Sequence, residues 1–186
     1  FGEKHINQTL QQFIDEFPME YSKLKIFEIC NVEADPLPFQ DNFFDAVSCC
    51  QALEHFTYSH LPAVLEMHRV LKPGGIIEVD VPNIVCFRNR VRMIRSKTIF
   101  YEYERFLKEE PIDYKGKPYF PLRHNREFTL KELAMLLREG KFRDVRCYYL
   151  KSRRYRTGLE RVRNIGTMIR HLVPSFRKSL IGFAYK

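Results

Sequence analysis

The apolar positions of this chain change their period along its length, and the changes mark out its elements. Ile6, Leu10, Phe13, Ile14 and Phe17 recur at helical spacing, so residues 4–17 read as an amphipathic helix that Pro18 ends. Leu24–Val32 (LKIFEICNV) is rich in β-formers and reads as a strand. A turn-rich segment with Pro36 and Pro38 leads to Phe44–Cys50, a short strand whose composition suits burial on both faces. Ser59 is placed to cap a helix carrying Leu61, Val64, Leu65 and Leu71 on one side, and Lys72-Pro73-Gly74-Gly75 stops it. Ile76–Val81 is the next strand.

From about residue 84 the texture is different. Residues 84–107 predict helix, with Val85, Val91, Ile94, Ile99 and Phe106 set among Arg and Lys. Residues 108–128, with Pro111, Gly116, Pro118 and Pro121, predict irregular chain. Thr129 and Glu132 form a capping box that opens a helix bearing Leu130, Leu133, Leu136 and Leu137, closed by Gly140. Phe142–Leu150 reads as a strand, Leu159, Val162, Ile165, Ile169 and Leu172 stripe a helix over 157–172, and Leu180–Lys186 is a last strand. Alternating strands and helices predict an α/β domain with a mostly parallel sheet and helices on both faces. The two final strands can pair antiparallel at one edge.

Composition narrows the class. A chain of 186 residues with 45% hydrophobic and 29% charged residues can bury a core as one domain, 1–186, which excludes collagen-like, disordered and disulfide-stapled chains. No run approaches the roughly 20 apolar residues of a membrane span, and Phe1–His5 lacks the pattern of a secretory signal. The five cysteines include no C-x-x-C pair, so reduced thiols in a cytoplasmic protein are expected and a metal site is not. The net charge of +8 is unevenly spread: residues 1–83 hold 5 Lys/Arg and 13 Asp/Glu, and the rest hold 26 and 10. Such asymmetry suggests two surfaces with different partners. The basic half suits nucleic acid, an anionic membrane or a phosphorylated substrate, or is simply a solvated face.

In an open parallel sheet, ligands bind beyond the carboxyl ends of the strands. The polar residues there are Glu33 and Asp35, then Gln51, Glu54 and His55, then Pro82 and Asn83. Around them stand Leu37–Val47 (LPFQDNFFDAV), Leu53-Glu54-His55, Glu66-x-x-Arg69 running into Lys72-Pro73-Gly74-Gly75, and later His124–Thr129 (HNREFT) and Gly140-Lys141-Phe142. In order and spacing these blocks resemble a class I S-adenosylmethionine-dependent methyltransferase of the small-molecule type. The resemblance implies a Rossmann-like sheet and S-adenosylmethionine as cofactor. It places Asn31-Val32, or Glu33 in the other register, beside the adenine, and Cys50, Gln51 and Ala52 beside the methionine and sulfonium. His55 would border the methyl-transfer cavity. His124, Glu127 and His55, with Tyr119 as a further candidate, could serve as general base toward an oxygen or nitrogen acceptor.

The sequence also departs from that family. Its glycine-rich cofactor loop follows the first strand, yet no G-x-G occurs here, and Gly2 is the only glycine before Gly74. One βαβ unit is missing, most naturally near Pro18-Met19. Either that unit has dropped out between two flanking segments, or the chain lacks the cofactor cradle altogether. Residues 84–128 and 151–178 form basic, lid-like insertions. Arg88, Arg90, Arg92, Arg95 and Lys97 are dense in the first, and Arg153, Arg154, Arg156, Arg161, Arg163 and Arg170 in the second. Arg-rich amphipathic helices suit a peripheral anionic membrane contact, and Arg matches phosphate. The expected substrate is therefore a small anionic, saccharide or lipid-linked molecule. The alternative is a nucleic-acid-binding or cofactor-free structural protein on the same fold, with Tyr101, Tyr103, Tyr148, Tyr149 and Tyr155 as stacking surfaces.

Overall fold

The computed structural model describes residues 30–100, 103–151 and 172–186. The predicted helices 4–17 and 157–172, the Pro18-Met19 junction and the second arginine cluster lie outside the described residues. The body described below is Asn31–Lys186. At the end of the predicted strand Leu24–Val32, residues 30–32 are coil entering a turn, so the strand does not reach Val32.

Strand β1 (Phe44–Cys50) runs parallel to β2 (Leu71–Pro82), with Ala46 opposite Ile76 and Cys50 opposite Asp80. The crossover between them is helix α1 (Leu61–Val70). Pro62 sits in its first turn, where no backbone N–H is needed. The N-cap is His60 rather than Ser59, although Ser59 Oγ accepts the Leu61 N–H at 3.3 Å. Ala63, Val64, Met67 and Val70 form its buried face.

The remaining strands make the described sheet mixed and not mostly parallel as expected, since only β1 and β2 pair in parallel. The sheet has the order β1-β2-β6-β5, where β5 is Arg143–Leu150 and β6 is Ser179–Tyr185. The two final strands do pair antiparallel at one edge, but β6 pairs antiparallel with β2 as well, so the reversed strand is the inner of the two. No side chain from Leu180 to Ala184 is exposed, which suits a strand flanked on both sides. β1 and β5 are instead the two edge strands among the described residues. Only Cys49 of the seven residues of β1 is buried, against the expected burial on both faces.

Core packing explains the glycines. Ile77, Val79 and Val81 of β2, Leu180 and Ala184 of β6, and Val64 of α1 join one buried cluster with Leu133 and Leu137 of helix α4 (Leu130–Glu139). The described helices α1 and α4 thus share one face of the sheet, while Ile76, Glu78 and Asp80 on the other face stay half-buried. A Cβ on Gly140 would come 2.4 Å from Val64 Cγ1, so α1 and α4 approach here only because that position is bare. At Gly75 a Cβ would meet Lys72 O at 2.9 Å and Asp45 O at 3.1 Å. The capping box of α4 is formed, with Thr129 Oγ1 accepting from Glu132 N and Glu132 Oε2 from Thr129 N.

The motif blocks turn out to be one mechanical unit. Arg69 donates to Glu66, Asp41 and the carbonyls of Leu37 and Phe39, while Glu66 Oε2 accepts the Leu37 N–H at 3.0 Å. The LPFQDN loop is therefore held onto α1 by the E-x-x-R pair, and the guanidinium keeps the Glu66 carboxyl below its ordinary range.

The stretch 84–128 is more structured than its composition predicts. Helices α2 (Phe87–Ile94) and α3 (Tyr103–Lys108) are separate, and β3 (Ile112–Tyr114) pairs with β4 (Lys117–Tyr119) as a hairpin. Its two turn residues, Lys115 and Gly116, both have positive φ, the geometry of the tight turns that match strand twist.

Candidate active site

Beyond the carboxyl end of β1 the chain turns sharply at Gln51, whose φ is 49°. Its backbone N–H reaches Asp80 O at 2.9 Å and its side-chain amide donates to Asp80 Oδ1 at 3.0 Å, tying together the ends of the two parallel strands. Burial raises the pKa of Asp80, and the Gln51 bond opposes that shift. A short 3-10 turn, Leu53–His55, follows.

That turn is stitched to a distant loop. The N–H groups of Asn125 and Arg126 both donate to Glu54 O, at 2.7 and 3.2 Å, and the Asn125 side chain donates to the carbonyls of His55 and Phe120. The two histidines are thereby brought together, their rings edge to face with centroids 4.8 Å apart. His55 Nδ1 lies 3.1 Å from Arg123 O. A carbonyl can only accept, so Nδ1 carries the proton and the lone pair is on Nε2. His124 Nδ1 lies 3.6 Å from Glu127 Oε1, and Glu127 Oε2 accepts from Asn89 Nδ2 at 2.9 Å. Asn89, fully buried in α2, also donates to Ile84 O.

These groups form one end of a cavity of about 660 Å³. His55, His124, Asn125 and Glu127 supply its polar end, and Ile99, Phe100, Tyr103, Phe106 and Leu122 its apolar walls. Arg123 also lines it, with its guanidinium lying over the rings of Phe120 and Phe106 at 3.9 and 4.4 Å. A smaller cavity of about 150 Å³ is lined by Gln51, Asn83 and Arg88 and again by His124 and Glu127, which therefore border both spaces. Glu54 is only 1% exposed, and neither of its carboxylate oxygens has a hydrogen-bond partner. Burial raises its pKa, against the opposing influence of His55 and His124. Burial also pushes the Cys49 thiol up to about 12, which makes it inert as a nucleophile at neutral pH.

Of the residues expected from sequence, His55, His124 and Glu127 come together at one cavity end. Cys50, Gln51 and Ala52 stand at the end of β1, where Cys50 is exposed with Sγ 3.2 Å from Ser48 Oγ. Asn31, Val32 and Glu33 lie in a turn in which Asn31 Oδ1 accepts the Glu33 N–H and the Glu33 carboxylate accepts the Tyr58 N–H. Tyr119 is buried against the rings of Tyr58 and Tyr114 and does not line the large cavity. Asn89 and Asn125 were not singled out by sequence. Asn83, also buried, staples the end of β2 to the carbonyls of Ser175 and Arg177.

The described glycines are Gly74, Gly75, Gly116, Gly140 and Gly182, and none stands at the carboxyl end of β1 or β2, where bare backbone could close on a ligand. Gln51 and Asp80 are the polar side chains joined at that end.

A mixed sheet with one reversed strand inside it, and polar residues gathered beyond the carboxyl ends of its parallel strands, place the described body in the α/β class. A family model described as "Methyltransferase domain" matches residues 9–79. Over 54 residues the chain is 44% identical to a ubiquinone/menaquinone biosynthesis C-methyltransferase, UbiE, of Neisseria gonorrhoeae, a match covering 29% of this chain and 22% of that protein. It is 37% identical over 70 residues to a demethylmenaquinone methyltransferase of Staphylococcus epidermidis, covering 36% of this chain and 29% of that one. The aligned chain thus spans less than a third of either relative. A SAM-dependent methyltransferase from Archaeoglobus fulgidus shares the fold with a TM-score of 0.53 at 16% identity, over 92% of this chain and 72% of that one. The resemblance carried by the motif blocks holds in both sequence and fold.

Proposed function

We propose that the chain is an S-adenosylmethionine-dependent methyltransferase that acts on a small ring-bearing acceptor. The carrying observation is the cavity: apolar and aromatic walls leading to a polar end made of two imidazoles and a buried carboxylate. Asn31–Glu33 and Cys50–Ala52 would hold the cofactor, which when bound supplies an electrophilic methyl group. The chain's own residues do the rest. The walls seat the acceptor's apolar body. His55 and His124 hold its polar atom, and Glu127, fixed by Asn89 and facing His124, takes up its proton.

These walls suit a flat ring better than the saccharide expected from the arginines, and the relatives named for quinone methylation support the same choice. Phe106 and Leu122 of the cavity walls are themselves exposed, as are Met93 and Ile94 at the end of the arginine-rich α2. Apolar tips beside cations suit an acceptor delivered from an anionic membrane surface. No helix among the described residues is long and apolar enough to cross a membrane.

A cofactor-free scaffold on the same fold is the second reading, favoured by the absence of a glycine at the described strand ends. Methyl-labelled cofactor separates the two. Incubated with full-length protein and either hydroxylated or aminated aromatic rings or saccharides, the label is expected in the rings, on oxygen or nitrogen. Glu127→Gln should lower turnover by about 10²-fold or more while leaving cofactor affinity unchanged. Label on a ring carbon would replace the heteroatom acceptor, and label in saccharides alone would contradict the proposed substrate class.

A further inference from the structure

We propose that Glu54, His55 and His124 bind one divalent transition-metal ion at the polar end of the large cavity. The three residues each offer a ligand atom, and these atoms all lie within 4.8 Å of one another. From that spacing, bonds of about 2.0–2.2 Å to a shared ion need only small side-chain rotations.

Three observations set this cluster apart from a chance grouping. The first is Glu54, a carboxylate 1% exposed with both oxygens unpartnered. Desolvating such a group without a partner is costly, and a cation supplies the missing one. The second is His55, whose Nδ1–H is spent on Arg123 O, leaving Nε2 as the donor atom. Metal-ligating histidines are characteristically fixed through their other nitrogen in this way. The third is His124, backed by the Glu127 carboxylate 3.6 Å from its Nδ1, with Glu127 in turn held by Asn89. At that separation the pair is not yet hydrogen-bonded, but a small rotation would give the carboxylate–imidazole arrangement that commonly stands behind a metal-ligating histidine.

Two nitrogens and one oxygen suit zinc, manganese, iron or cobalt rather than magnesium or calcium, which take oxygen ligands. Three protein ligands leave at least one open position. Both imidazoles line the large cavity, so that position faces an acceptor, and with the ion bound the two rings would hold the acceptor's oxygen through it rather than directly. Glu127, outside the ligand set, stays available for the proton. The ion's binding requires neither cofactor nor acceptor, so it stands or falls separately from methyl transfer.

The test is calorimetric titration of metal-stripped full-length protein with Zn²⁺ and, separately, Mn²⁺, and titration with Co²⁺ followed by visible absorption. One ion per chain is expected for at least one of them. Glu54→Gln and His124→Ala should each weaken binding at least tenfold, and Glu127→Gln by about 10–100-fold, with unchanged circular dichroism. Glu54→Gln is nearly isosteric and decides the matter if His124→Ala does not fold. Absence of stoichiometric binding by the unaltered protein to all three ions would overturn the site, as would an unchanged affinity in Glu54→Gln. Cofactor binding is titrated separately, so either proposal can fail alone.

Discussion

Asp80 shows how the strand ends trade stability for a polar floor. Its carboxyl is half-buried and held by Gln51, and burial raises its pKa above the unfolded value. A raised folded pKa means that this group's contribution to stability is present below the unfolded value, about 3.9, and is lost as pH rises through the folded one. Asp80→Asn keeps an oxygen for Gln51 and removes the charge. The variant should therefore melt above the unaltered protein at neutral pH, with the difference closing as the pH approaches about 4. A variant melting below it at neutral pH would show that the charge is stabilising. At this scale the sequence carried the positions but not the pairings. His55, His124 and Glu127 were legible because they follow strand ends or precede a helix cap within recognisable blocks. The orphaned oxygens of Glu54 and the burial of Asn89 depend on contacts between segments far apart in the chain, which no local pattern encodes.

Among the elements, α4 is the one the sequence specified best, because periodicity, capping box and terminal glycine agree. Its Thr129→Ala variant should lose about 1 kcal/mol. Gly140→Ala should cost about 1–3 kcal/mol by overpacking against Val64. The backbone there has φ −69°, so conformation is not the cause, and adding Val64→Ala should recover part of the loss. Urea midpoints check both; a neutral Gly140→Ala would mean that α1 and α4 do not pack as described. The place of β6 was less legible. Its apolar run is compatible with an edge or an interior strand, and only register with both β2 and β5 decides between them. The hairpin Ile112–Tyr119 escaped because two three-residue strands with Pro118 look like loop, and Lys115-Gly116 was its only signal.

For the whole molecule, the charge division and the lack of any G-x-G in the sequence are the facts that bear most on function. The acidic half, residues 1–83, contains the strand-end residues proposed to hold the cofactor, and the basic half contains the arginine-rich α2 and the apolar cavity walls. Whether the strand ends suffice without a glycine cradle is what activity turns on. Calorimetric titration of the full-length protein with S-adenosylmethionine tests it most directly. Saturable binding at one site per chain, weakened when Gln51 is replaced by Ala, is the predicted result; no saturable heat at any cofactor concentration would contradict it.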